Sequence, residues 1–254
     1  MSRPTALVTG PTAGIGRSFA TALAGRGYDL VLVARDRARL EELAADLHRR
    51  FGVDVEVLPA DLADRVALAT VENRVADASR PVDLLVNNAG FGHRRPFSDN
   101  DIEEEQAMLD VLVTAVLRIT HAAVRPMAAR GSGAIINVSS VAGFLRRGTY
   151  GAAKAYVTSF TEWLDATYRG QGVRAMALCP GFVKTEFHQR MGVSRDSAPG
   201  WMWLDADRVV RDALEDLERG KSLSIPSRRY RVLVTLARYT PSSLQARFQR
   251  IGRR

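Results

Sequence analysis

Six short apolar runs, each followed by a helix-length amphipathic segment, constrain this 254-residue chain more than any other feature. They occupy residues 6–8, 28–33, 53–58, 82–86, 134–138 and 173–178, with helical patterns such as 17–26 and 37–50 between them. A strand buried on both faces reads as a continuous apolar run, and strands that alternate with helices pair in parallel beneath helices on both sides. The expectation is an α/β fold, a doubly wound parallel sheet with one core. Residues 1–226 are read as that domain and 227–254 as a basic amphipathic C-terminal extension. Ligands of such sheets bind beyond the carboxyl ends of the strands, where the strand order reverses.

Two motifs fall at those ends. After the first run comes Thr9-Gly10-Pro11-Thr12-Ala13-Gly14-Ile15-Gly16. Glycines between a strand and a helix let backbone approach a pyrophosphate, and the helix N-terminus offers donors and a positive dipole. The spacing is Gly-x-x-x-Gly-x-Gly, against the commoner Gly-x-Gly-x-x-Gly. Beyond the fifth run, Asn137-Val138-Ser139-Ser140 leads to Tyr150 and Lys154. Residues i and i+4 share a helix face, so the ammonium is placed beside the phenol, where a cation favours phenolate. The chain has 33 arginines and three lysines, so a lysine here points to a site that uses a compact ammonium.

On these motifs, with Asn87-Asn88-Ala89-Gly90 and Pro180-Gly181 to Thr185, the chain resembles the short-chain dehydrogenase/reductase family over nearly all of residues 5–226. The resemblance implies a Rossmann-type fold, with residues 1–226 as a dinucleotide-binding and catalytic domain, and a carbonyl reductase or hydroxysteroid dehydrogenase-like activity. Ser140 would bind the substrate carbonyl, Tyr150 would donate or take the proton, and Lys154 would lower the tyrosine pKa and bind the nicotinamide ribose. Cofactor-binding positions would be Gly10, Thr12, Gly14, Ile15, Gly16, Asp61, Leu62, Asn88, Ala89, Gly90, Pro180, Gly181, Val183 and Thr185, with Tyr150 and Lys154. Ala34 stands at the usual acid position and Arg35 follows it; a base there accommodates a 2′-phosphate, so the expected cofactor is NADP(H). Asp36 is read as a helix N-cap. Leu112 stands where many relatives carry an Asn that helps hold a water beside the lysine, and Arg146-Arg147 occupy a shortened loop. Leu112 leaves an NADP(H)-binding sensor or scaffold with weak turnover as the alternative function.

Phe182, Phe187, Met191, Trp201, Met202 and Trp203 fall in the region that forms the family's substrate lid. They fit a small apolar carbonyl or alcohol substrate, or ordinary core packing. The single cysteine, Cys179, excludes an internal disulfide and reads as a buried thiol; a cytoplasmic protein is expected. No signal-peptide pattern opens the sequence, and no apolar run is read as reaching the roughly 18 residues that cross a bilayer. The four histidines show no metal-ligand spacing. The net charge of +8 is lopsided: residues 220–254 hold nine Lys/Arg and no acid, leaving 27 bases against 28 acids, or −1, in 1–219. Such a tail could lie on an anionic membrane, cover a subunit interface of a homo-oligomer, receive an acidic carrier or simply pack. Nucleic-acid binding is not expected, since no recognisable module accompanies the charge.

Overall fold

The computed structural model describes residues 3–93, 95–145, 148–185 and 199–239. Seven strands form one parallel sheet in the order β3-β2-β1-β4-β5-β6-β7. They are β1 (Thr5–Thr9), β2 (Asp29–Ala34), β3 (Val55–Pro59), β4 (Leu84–Asn87), β5 (Gly133–Val138), β6 (Val173–Leu178) and β7 (Leu223–Ser224). The order reverses between β1 and β4, which pair through Leu7 and Leu85, so their carboxyl ends open a crevice.

The helices are α1 (Gly14–Ala24), α2 (Arg37–Phe51), α3 (Arg65–Ala76), α4 (Ile102–Leu109), α5 (Ala115–Ala129), α6 (Gly148–Tyr168), α7 (Ala206–Glu218) and α8 (Arg228–Tyr239). Strand side chains alternate between faces. Ala6 and Val8 join the core formed with α1, α2 and α7, whereas Leu7, Val31 and Val33 join the opposite core formed with α3 and α5. Asp36 and Asp64 cap α2 and α3, accepting from Arg39 N and Ala67 N; both are the short acceptors that an N-cap requires.

Two features were not foreseen. The two-residue β7 pairs with β6 through Ala177 and Leu178 and carries no run long enough to announce itself. Between α4 and α5 the backbone passes through a π-helical turn, Asp110–Thr114, which makes one continuous helical stretch from Ile102 to Ala129. By length and composition that stretch would cross a membrane, although no single apolar run suggested it. Its Ala115, Ile119, Ala123 and Met127 lie fully buried in the core beneath the sheet.

Candidate active site

The glycine turn is built by close approach. Gly10 and Gly14 adopt φ of +66° and +54°, left-handed conformations that suit glycine. A Cβ on Gly16 would lie 2.1 Å from Gly10 O and 2.4 Å from Asn88 Nδ2; one on Gly14 would lie 2.9 Å from Thr185 Cβ. The same Asn88 amide donates to Thr9 O and Gly10 O at 2.9 and 3.1 Å, while Thr9 Oγ1 accepts from the backbone N–H of Asn88 and Ala89. Thr9 and Asn88 thereby lock the ends of β1 and β4 together across the switch point. Thr9 was missed as a site residue; its only signal was its place as the last strand residue before the first glycine.

At the rim, Arg35 is exposed, with its guanidinium 3.9 Å from the Asp61 carboxylate. Asp61 also accepts from Ala63 N at 3.0 Å, and Leu62 is buried beside it. Thr12 and Ile15 are half-buried in the turn, Ala89 is half-buried and Gly90 exposed beyond β4. The far wall follows β6. Pro180 O accepts from Val141 N at 3.0 Å, Val183 bridges to Leu204, and Thr185 meets Gly14. Gly181 has a second reason to be glycine, since a Cβ there would lie 2.0 Å from the Tyr230 ring.

Between these walls stand Ser140, Tyr150 and Lys154. Ser139 is buried, its hydroxyl bonded to Lys154 O and Thr158 Oγ1, so it braces α6. Ser140 instead caps the short turn Val141–Phe144 through Ala142 N and hydrogen-bonds Tyr150. A Cβ on Gly143 would lie 2.9 Å from the Lys154–Ala155 backbone, so the turn carrying Ser140 rests directly on α6. Lys154 Nζ donates to Val138 O at 2.8 Å and lies 5.8 Å from the centre of the Tyr150 ring.

Burial is the largest influence on both titrating groups. Tyr150 keeps some exposure as a residue, yet its crowded hydroxyl is pushed up to about 12 by desolvation; the Ser140 hydrogen bond opposes this. Lys154 is brought down to about 8 by the same cause. Burial thus raises the pKa of the Tyr150 phenol, opposite in sign to the lowering expected from the neighbouring lysine.

The arrangement is a tight glycine turn at the N-terminus of α1, a base at the end of β2 and a hydroxyl–phenol–ammonium cluster beyond β5. A family model described as short chain dehydrogenase matches residues 4–195. The chain belongs to that family. Among its relatives, sulfoacetaldehyde reductase 2 of Chromohalobacter salexigens is 38% identical over 186 residues, covering 71% of this chain and 73% of the relative. A solved short-chain dehydrogenase from Sphingobium yanoikuyae in complex with NADPH is 35% identical with a TM-score of 0.86, covering 92% of this chain and 93% of that one. The bulky-bulky ketone specific alcohol dehydrogenase of Comamonas testosteroni is 30% identical with a TM-score of 0.81, covering 93% and 92%.

Within this short-chain dehydrogenase, Leu112 is fully buried in the π-helical turn, and a Cβ on Gly90 would meet both its Cδ2 and Lys154 Nζ. A leucine there offers the ammonium no hydrogen bond. Of the lid aromatics, Phe182 and Trp203 pack at 5.4 Å between ring centres, Trp201 is exposed, and Phe187 and Met191 lie outside the described residues, as do Arg146 and Arg147. Cys179 is buried and its thiol is pushed up to about 11, an inert neighbour. His93 bonds Glu104 O, and no metal-binding group occurs among the described residues.

Proposed function

We propose that this enzyme is an NADP(H)-dependent carbonyl reductase acting on a ketone or secondary alcohol with an apolar body. The observation that carries the reading is the Ser140–Tyr150 hydrogen bond beside Lys154, in a fold whose first strand ends in a turn with no room for a Cβ at Gly14 or Gly16. The turn fits a dinucleotide: α1 begins there with Ala13 as an N-cap that offers no side-chain hydrogen bond, so the first N–H groups of the helix are available to a pyrophosphate. The nicotinamide, when bound, supplies or accepts the hydride.

The chain's own residues do the rest. Ser140 Oγ donates to the substrate carbonyl oxygen and holds it near Tyr150 Oη. Tyr150 gives its proton to that oxygen as alkoxide character develops, or takes it back in the oxidative direction. A phenol that is protonated throughout the neutral range suits the donating role, and Lys154, held by Val138 O, supplies the compensating charge. Arg35, exposed at the end of β2, binds the 2′-phosphate. The solved relatives, named for a bulky ketone and for NADPH, support both the substrate class and the cofactor.

Oxidation of NADPH, followed optically with a panel of bulky aryl and alicyclic ketones, tests the reading. Turnover is expected, and Tyr150→Phe should lower kcat by about 10²–10⁴-fold while still binding NADPH. Near-normal turnover of that variant would exclude Tyr150 as the acid. NADPH binding with no turnover of any carbonyl would favour the sensor reading that Leu112 raises.

A further inference from the structure

Glu105 is a buried carboxylate that the chemistry above does not use. It lies on α4, 4% exposed, and among the described residues each of its oxygens has one hydrogen-bond donor. Oε1 accepts from Asn100 Nδ2 at 2.6 Å, and Oε2 accepts from Thr149 Oγ1 at 2.5 Å. Thr149 is the residue before Tyr150, and α6 begins only at Gly148. Tyr150 therefore sits in the first turn of its helix, where backbone N–H groups lack intrahelical acceptors. Gly148, the first residue of that turn, has φ +63°, outside the right-handed helical region. A proton donor displaced by about 1 Å loses roughly 10²-fold in rate, so this turn needs an anchor from outside the helix.

We propose that Glu105 is a positioning residue for Tyr150, tying the first turn of α6 through Thr149 to α4 and, through Asn100, to the loop that follows β4. Its negative charge also faces the positive end of α6, where a carboxylate is favoured. Both partners are donors, so both oxygens must accept. The anchor rests on the assignment of Tyr150 as proton donor.

The two bonds permit a discriminating set of variants in the full chain. Thr149→Val removes the hydroxyl at nearly constant shape; kcat should fall about 10- to 100-fold, with NADPH affinity and binding stoichiometry within about twofold of wild type. Thr149→Ser restores the donor and should recover most of the rate. Glu105→Ala should match Thr149→Val, and the double variant should be no slower than Glu105→Ala alone, because the two residues act as one unit. Glu105→Gln should also recover most of the rate. Asn100 Oδ1 is buried without a partner among the described residues, so its amide can turn to accept from the new glutamine. Turnover of Thr149→Val within twofold of wild type overturns the proposal. So does a Thr149→Ser variant as slow as Thr149→Val, or a rate loss that appears only with an equal loss of NADPH-binding sites. If Tyr150→Phe turns over normally, the proposed function and this inference fail together; if Tyr150→Phe is slow and Thr149→Val is normal, only the inference fails.

Discussion

Arg35 concentrates the cofactor choice in one guanidinium. It is exposed and 3.9 Å from Asp61, a distance at which neither charge is committed to the other. A charge-assisted bond to a 2′-phosphate contributes about 1.5–3 kcal/mol. Arg35→Ala should therefore weaken NADPH binding by roughly 10- to 100-fold and leave NADH nearly unchanged; fluorescence titration with both nucleotides checks this, and equal losses would assign Arg35 to the fold. Lys154 sets a pH dependence whose sign follows from its lowered pKa. Between about 8 in the folded state and the ordinary 10.5, the unfolded chain binds more protons, so stability rises with pH. The raised Cys179 and Tyr150 act in the opposite sense, but only above their ordinary values of 9.0 and 10.0. The clean window is pH 8 to 9. Thermal unfolding there should show a positive Tm slope that Lys154→Met flattens, and an identical slope in both proteins would contradict the burial argument.

Among the elements, α8 is joined to the site by one side chain. Tyr230 is buried, its hydroxyl accepts from Phe182 N at 3.0 Å and donates to Met202 O at 2.8 Å, and its ring fills the space that Gly181 leaves. One tyrosine thus fastens the segment after β6 to the stretch before α7. Tyr230→Phe leaves the ring but strands a backbone donor and acceptor, which costs about 1–3 kcal/mol. Urea unfolding should show that loss as a lower midpoint with the slope unchanged, and a midpoint equal to wild type would mean that water replaces the hydroxyl without cost. Gly181→Ala should be worse, since its Cβ would overlap the ring.

On the scale of the whole molecule, charge and apolar surface coincide at one end. α8 buries Tyr230 and Val234 and turns Val232 and Leu233 outward, 59% and 41% exposed, beside Arg228, Arg229 and Arg231. The rest of the basic tail, residues 240–254, lies outside the described residues. The proposal for this surface is attachment to an anionic membrane. The intact protein should float with anionic vesicles at low ionic strength and release as salt approaches about 0.5 M, where screening shortens the reach of the charges. Absence of flotation at low salt would retire the membrane proposal. Size-exclusion chromatography then asks whether the surface is covered in a homo-oligomer.

The sequence alone determined the parallel α/β fold, because apolar runs of strand length separated by amphipathic helices have few other ways to bury their surface. The glycine turn, the adjacency of Tyr150 and Lys154 and the cap at Asp36 were legible there too, because each is a local pattern of residue type and short spacing, whereas Ser140 was singled out by the family resemblance. What joins distant segments was illegible there. Asn88 locking Thr9, Glu105 reaching Thr149 from 44 residues away, and Tyr230 packing on Gly181 leave no periodicity in the chain. Only the tertiary structure decided that burial, not the neighbouring ammonium, dominates the tyrosine's pKa. Desolvation sums over every atom the fold gathers around a group, and no spacing of two residues along a helix reports that sum.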